Sequence, residues 1–255
     1  FSQHSIILSQ AGKREDTNLK QMTGVMSVLM VVMERVAQHI YERKKKPINI
    51  AAMKNTILLT GASGSVGFEA FQELLRRGDN YHIRILNLDS KFERKLFRKY
   101  HDQVEIIWGN LCNTDDVRVA VQGVDTVIHT AAVIPPQADH DPDLAWQVNT
   151  GGTRNLVKAL KEHNPACKLV YTSSISVYGD RIKYPNIRVG EPLRPSLGDE
   201  YAKTKIAAEK IIQASGLKWS IFRLCGILTK QLSIQPLMFH MPLGTALEWC
   251  HASDA

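Results

Sequence analysis

The sequence predicts an α/β fold, a doubly wound parallel sheet with helices on both faces. Two observations carry this expectation. Short apolar runs of strand length alternate with segments of helical period from Ile57 to Leu224. The first of those runs then enters its helix through a turn built on Gly61, Gly64 and Gly67. Parallel strands joined by helical crossovers of a single hand give a sheet covered on both sides.

The elements follow in order along the chain. Ile57, Leu58 and Leu59 form the first strand within KNTILLTGASGSVG, and Val66 to Arg77 continue as a helix. His82–Leu88 (HIRILNL) reads as the second strand and Lys91–Tyr100 as a charged helix. Val104–Trp108 is the third strand, Thr114–Val121 a short helix, and Val124–His129 the fourth strand. Asp143–His163 is a long helix, with Leu144, Val148, Leu156, Val157 and Leu160 near helical spacing. Lys168–Thr172 is the fifth strand, Glu200–Ser215 another helix, and Trp219–Leu224 the sixth strand. No internal repeat is visible.

Upstream of the first strand the pattern changes. Residues 1–21 are polar and without period, and Val25 to Tyr41 read as a helix closed by Lys44–Lys46 and Pro47. Its apolar run, Val28 to Met33, is far short of the ~20 residues that cross a bilayer. A helix packed on a partner or on the main domain is preferred to a membrane-surface anchor, because Lys and Arg commonly close helices. No secretory signal is recognised. The chain begins with Phe1, and Met53 stands immediately before the first strand. Residues 1–52 are therefore set aside as an extension of unknown role. Residues 53–230 form the nucleotide-binding domain, and 231–255 begin an incomplete substrate-binding region.

Bulk properties narrow the classes. The 255 residues are 44% hydrophobic and 22% charged, as in ordinary globular proteins. Of the formal net charge of +7, residues 1–52 hold +4 (eight Lys/Arg against four Asp/Glu), which leaves +3 for the rest. That near balance speaks against nucleic-acid binding. Cys112, Cys167, Cys225 and Cys250 show no C-x-x-C spacing, so neither a metal site nor a redox motif is expected, and a reducing, cytoplasmic setting is.

The glycine turn suits a nucleotide pyrophosphate. Gly61 allows the tight turn, Gly64 lets phosphates approach the backbone, and Gly67 lets the helix pack on the strand. The anion meets the free N–H groups of Ser65 and Val66 and the positive end of the helix dipole. The other candidates stand at strand ends, where such sheets bind ligands. After the second strand, Asn87 and Asp89 compete for the adenosine ribose hydroxyls, while Lys91 and Arg94 could pair with a 2′-phosphate. NAD and NADP both remain open. Asp89 or Ser90 could equally be a helix cap. After the third strand comes Gly109-Asn110-Leu111. After the fourth come His129, Thr130, Ala131 and Ala132, whose small residues let a flat ring lie against backbone. His129 itself reads as a satisfied structural histidine. After the fifth comes YTSSISVYG, and the next helix opens with YAKTK. Tyr201 and Lys205 are four apart and share a helix face. A lysine beside a phenol lowers the phenol's pKa towards the working range, and Ser174 can hold a substrate oxygen.

The stretches TGASGSVG, GNL, VDTVIHTAA, VNTGGTRNL, YTSSISVYG and YAKTK occur in an order that resembles the extended short-chain dehydrogenase/reductases, the NAD-dependent epimerase/dehydratase group with a Rossmann fold. The resemblance runs from Met53 to about Ile227. It implies that Gly61, Gly64 and Gly67 bind the pyrophosphate of NAD or NADP, that Asn110 and Leu111 sit by the adenine, and that Ala131 and Ala132 lie near the nicotinamide ribose. Asn149 would support the active-site helix. Ser174, Tyr201 and Lys205 would be the catalytic triad, with Lys205 also on the nicotinamide ribose. The family usually has Asp in place of Asn110. Ile175 and Ser176 replace the Asp-Glu that follows the hydroxyl in sugar-nucleotide dehydratases, so dehydration is not expected. Val133-Ile134-Pro135-Pro136 resembles loops of reductases and hydroxysteroid-type dehydrogenases as much as those of epimerases. The family also carries a carboxy-terminal substrate region beyond the point where this sequence stops.

The expected function is an NAD(P)-dependent oxidoreductase or epimerase acting on a hydroxyl or carbonyl of a small molecule or nucleotide sugar. A family-typical homodimer is compatible with it. The rival is a non-catalytic NAD(P)-binding sensor or scaffold.

Overall fold

The structure is a computed structural model in which residues 5–7, 54–181, 183, 186–228 and 249–255 are described. The helix expected over 25–41 lies outside them. The strands are β1 (Ser5–Ile7), β2 (Asn55–Thr60), β3 (Tyr81–Asn87), β4 (Glu105–Trp108), β5 (Thr126–His129), β6 (Lys168–Ser174) and β7 (Lys218–Leu224). They form one sheet in the order β1-β7-β6-β5-β2-β3-β4, with every pairing parallel. β1 corrects the reading of residues 1–21 as polar and without period: it falls on the short apolar run Ile6-Ile7-Leu8 and adds to the outer edge of β7. A separate small parallel pair joins β8 (Gly226–Leu228) to β9 (Trp249–His251).

Helices α1 (Ser65–Arg76), α2 (Lys91–Phe97), α3 (Thr114–Ala120), α4 (Gln137–His140), α5 (Pro142–Ala145), α6 (Thr153–His163) and α7 (Glu200–Gln213) fill the crossovers. The alternation of β2 shows why both faces must be covered. Leu58 faces a core with Val117, Leu156, Leu160 and Ile212 of α3, α6 and α7. Leu59 faces a second core with Phe71 and Leu74 of α1 and Phe97 of α2. In the second, Phe71 meets Phe97 and Tyr100 edge-on at 5.2 and 4.9 Å. Burying each such side chain is worth about 1.5–3 kcal/mol.

The long helix expected over 143–163 is present but not uniform. Pro142 opens it, with Asp141 capping the Leu144 N–H at 3.0 Å. Between α5 and α6 the turns widen to a π-helix over Trp146–Gly152. Such widened turns recur at functional sites, and this one carries Asn149.

Strand order fixes where a ligand can sit. β2 pairs with β3 on one side and β5 on the other, so the chain winds outward to β4 and then returns to start again at β5. The loops after β2 and β5 therefore diverge and leave a crevice at the carboxyl ends of those strands.

Candidate active site

The glycine turn opens this crevice. Gly61 has φ +76°, and a Cβ there would stand 2.5 Å from the Ala131 nitrogen. A Cβ on Gly67 would stand 2.0 Å from the Gly61 carbonyl oxygen. Both glycines are thus required for the loop after β2 to lie against the loop after β5. Gly64 differs: a Cβ there meets nothing nearer than the Gly61 oxygen at 3.4 Å, and the residue is exposed. No side chain caps α1, and no acidic residue lies in its first turn. The N–H groups of Ser65, Val66 and Gly67 have no partner within the helix and are available to an anion. The turn fits a pyrophosphate.

At the adenosine side, Asn87 and Asp89 part company. Asn87 ends β3, is buried, and leaves its Nδ2 without a hydrogen-bond partner. Asp89 is half exposed and clasps Arg94 through both carboxylate oxygens, one at 2.8 Å. That guanidinium holds the Asp89 carboxyl below its usual range and lies 4.9 Å over the Trp108 ring. Ser90, not Asp89, caps α2, accepting from the Glu93 N–H at 3.2 Å. Asn110 is exposed after β4, its Oδ1 accepting from the Cys112 N–H at 2.9 Å and its N–H bonded to Asp116 at 2.8 Å. Leu111 belongs to the core and packs on Gly152.

His129 is structural. It is fully buried, with Nδ1 2.7 Å from the Thr60 hydroxyl and Nε2 2.9 Å from that of Thr153. Thr153 donates onward to the Asn149 carbonyl at 2.6 Å, which leaves its oxygen to accept from His129 Nε2–H. Burial, with Lys205 nearby, pushes the imidazole down to about 3. Thr130 spends its hydroxyl on the Thr60 carbonyl at 2.7 Å, while Ala131 and Ala132 stay partly open. Asn149 acts as a spacer: its amide accepts from Val133 N–H at 2.7 Å and donates to the Val133 carbonyl at 2.9 Å and the Thr204 hydroxyl at 3.0 Å. It joins the loop after β5 to α7, the helix that carries Tyr201 and Lys205, and has no amide hydrogen left for a cofactor.

Ser174 is the last residue of β6, two beyond the expected strand end, with its Oγ 2.9 Å from that of Ser176. α7 is capped by Asp199, which accepts from the Ala202 N–H at 2.8 Å. The helix turns Tyr201 towards Ser174, whose hydroxyl favours the ionised form of the phenol. Lys205 is buried and donates to the Thr172 carbonyl at 2.9 Å. Its Nζ stands 4.8 Å from the Tyr171 ring centre and 5.8 Å from that of Tyr201. The expected lowering of the phenol is not found. Burial pushes Tyr201 up to about 12, against the opposing Ser174 hydroxyl. The lysine moves instead: burial pulls it down to about 7, with Glu209 opposing. For the half-buried Tyr201 ring, desolvation outweighs the cation lying across its face.

Sequence reading missed the residues behind this group. Glu209 is fully buried and pairs with Arg223, which also bonds Tyr178. A signal existed in both cases: a Glu inside the apolar run IAAEKII and an Arg inside the strand SIFRL.

Comparison with known proteins settles the lineage. The 3-beta hydroxysteroid dehydrogenase/isomerase family matches residues 58–225. The chain belongs to that family. It is similar to the human sterol-4-alpha-carboxylate 3-dehydrogenase (decarboxylating), 32% identical over 152 residues, which cover 60% of this chain and 38% of that one. It is also similar to a 3 beta-hydroxysteroid dehydrogenase/Delta 5→4-isomerase of Mycobacterium tuberculosis, 33% identical over 167 residues, 62% and 42% of the two chains. The chain thus spans about two fifths of the length of these relatives. Among solved structures, an Agrobacterium tumefaciens short-chain dehydrogenase/reductase with bound NAD superposes with TM-score 0.57 at 25% identity, covering 68% of this chain and 50% of that one. The UDP-glucose 4-epimerase of Thermus thermophilus, in complex with NAD, gives TM-score 0.63 at 22% identity over 78% and 71%, a likeness of fold. The family match begins at Leu58 and ends at Cys225, so it takes in the glycine turn, the strand ends and α7. No helix among the described residues is long and apolar enough to cross a membrane.

Proposed function

We propose that the protein is an NAD(P)-dependent oxidoreductase of hydroxysteroid type, exchanging hydride and a proton with a secondary hydroxyl or ketone on an apolar ring system. The observation that carries the reading is Lys205, a buried ammonium held beside Tyr201 and Ser174 at the carboxyl end of the sheet. A fold has no structural reason to bury a lysine there, and a titratable group so strongly perturbed in a cleft marks a functional site.

When bound, the nicotinamide accepts or delivers the hydride. The protein's own residues do the rest. The turn from Gly61 to Gly67 holds the pyrophosphate. Asn87 offers its unpaired Nδ2 to the adenosine ribose. Lys205 donates to the Thr172 carbonyl and to the nicotinamide ribose. Ser174 Oγ orients the substrate oxygen. Tyr201, its phenol protonated at neutral pH, gives its Oη proton to the carbonyl oxygen in reduction, and the Lys205 ammonium stabilises the phenolate left behind. Oxidation runs the same proton back.

Exposed Ile134, Val189 and Leu197 lie on the loops that follow β5 and precede α7, and they support an apolar substrate. The names of the human and mycobacterial relatives point the same way. The thiols of Cys112 and Cys167 suit a reducing, cytoplasmic setting. A homodimer belongs to the same reading, and light scattering would read it.

The test is a turnover assay on a panel of hydroxysteroids, their ketones and UDP-sugars, with the Tyr201→Phe variant beside the wild type. Turnover of a steroid that falls by about 10²–10⁴ in the variant, with cofactor binding retained, supports the proposal. Cofactor binding with no turnover of any member would favour a cofactor-sensing module. Full activity in the variant would remove Tyr201 from its role.

A further inference from the structure

Behind Lys205, one turn further along α7, Glu209 is fully buried. Its carboxylate receives the Arg223 guanidinium in two parallel bonds, Nε to Oε1 at 2.9 Å and an Nη to Oε2 at 2.6 Å. Arg223 projects from β7, and its other arm donates to the Tyr178 hydroxyl at 2.5 Å. Tyr178 closes the short 3-10 turn that begins directly after Ser174. One arginine therefore ties together β7, the helix that carries Tyr201 and Lys205, and the segment that carries Ser174.

Stability alone does not account for this arrangement. A buried ion pair gains little over apolar side chains of the same volume, because desolvating both charges offsets their attraction. The placement is more informative. Tyr201, Lys205 and Glu209 follow at intervals of four on α7 and share one helix face. Lys205 faces Tyr201 and Glu209 from its own helix, the Tyr171 ring and the Thr172 carbonyl from β6, and His129 from β5. Arg223 of β7 stands beyond Glu209. Burial keeps Tyr171 and Tyr201 protonated and His129 neutral at neutral pH. Glu209 is the acidic side chain that stands four residues on from Lys205 on the same helix face, and its charge opposes the loss of the lysine's proton.

We propose that Glu209 is a positioning residue for the candidate catalytic centre: it is the counter-charge that keeps the Lys205 ammonium in an otherwise apolar site, and Arg223 and Tyr178 fix it to the segment that carries Ser174. The proposal rests on the oxidoreductase reading only for what Lys205 binds.

The experiment is a pH titration of Lys205 by NMR in protein labelled at lysine 13Cε, with Lys205→Met identifying the resonance. It compares the wild type with Glu209→Gln and with Glu209→Gln/Arg223→Met. The double variant removes both members of the Glu209–Arg223 pair and so leaves no unpaired Arg223, and it carries the test should the single variant unfold. Circular dichroism checks the fold of each, and NADH and NADPH titrations accompany them. The midpoint of Lys205 is expected to fall by about one pH unit in either variant, which leaves about tenfold less charged lysine at a fixed pH above it, with NADH or NADPH binding weakened to match. An unchanged midpoint in a folded double variant would overturn the proposal and make the pair purely structural. A wild type that binds neither dinucleotide, but whose midpoint still falls in the variants, would sink the cofactor reading while leaving Glu209 its role towards Lys205.

Discussion

Replacing Lys205 with methionine should make the protein more stable and useless. Burial takes the lysine from an ordinary 10.5 to about 7. A difference of about 3.5 pH units at 1.36 kcal/mol each is about 5 kcal/mol. The sign follows from proton counts. Between pH 7 and 10.5 the unfolded chain holds the proton that the folded chain has released, so stability rises with pH across that window. Below pH 7 the folded protein carries the whole penalty. Methionine keeps the stem and removes the ammonium, at the loss of the hydrogen bond to Thr172, worth about 1 kcal/mol. The variant should gain about 2–4 kcal/mol at pH 6 and lose that advantage by pH 10. Urea unfolding of both proteins at several pH values reads the difference, in which every other titrating group cancels. The same variant should not bind a dinucleotide. A variant less stable than the wild type at pH 6, or a difference that does not change with pH, would refute the reasoning.

Other expectations follow from the same geometry. Gly67→Ala drives a Cβ to 2.0 Å from the Gly61 oxygen and should cost about 1–3 kcal/mol and abolish dinucleotide binding, whereas Gly64→Ala, whose Cβ has 3.4 Å of room, should weaken binding with little change in melting temperature. His129 sits at about 3 against an ordinary 6.5, so the unfolded chain takes up a proton first and stability should fall as pH drops from 6.5 towards 3. In His129→Gln that acid limb should flatten, as read by urea midpoints between pH 4 and 7.

The sheet was legible because short, mostly apolar runs recur between segments of helical period, continuous in β2 and alternating between buried and half-buried residues in β5 and β6. The turn was legible because Gly61 and Gly67 answer to close backbone contacts that no other residue permits. Tyr201 and Lys205 could be paired from their spacing alone. Their proton affinities could not, because desolvation depends on what packs around them: Tyr171, His129 and the Thr172 carbonyl come from strands 29 to 76 residues upstream. Glu209 and Arg223 were each visible as a charge inside an apolar stretch, but only the pairing of α7 with β7 makes them partners. β1 had only the short apolar run Ile6-Ile7-Leu8 as a signal, too brief among polar neighbours to show a period. The ribose position stayed open between Asn87 and Asp89 because the choice turns on where β3 ends. It ends at Asn87, with Asp89 drawn outward to Arg94.

The most direct measurement is a titration of the purified chain with NADH and with NADPH, following nicotinamide fluorescence, with Gly67→Ala as the control. Saturable binding of at least one dinucleotide by the wild type, lost in the variant, is what the glycine turn at the β2–β5 crevice requires. Binding of neither, or binding that survives Gly67→Ala undiminished, would contradict the claim that this crevice holds the cofactor.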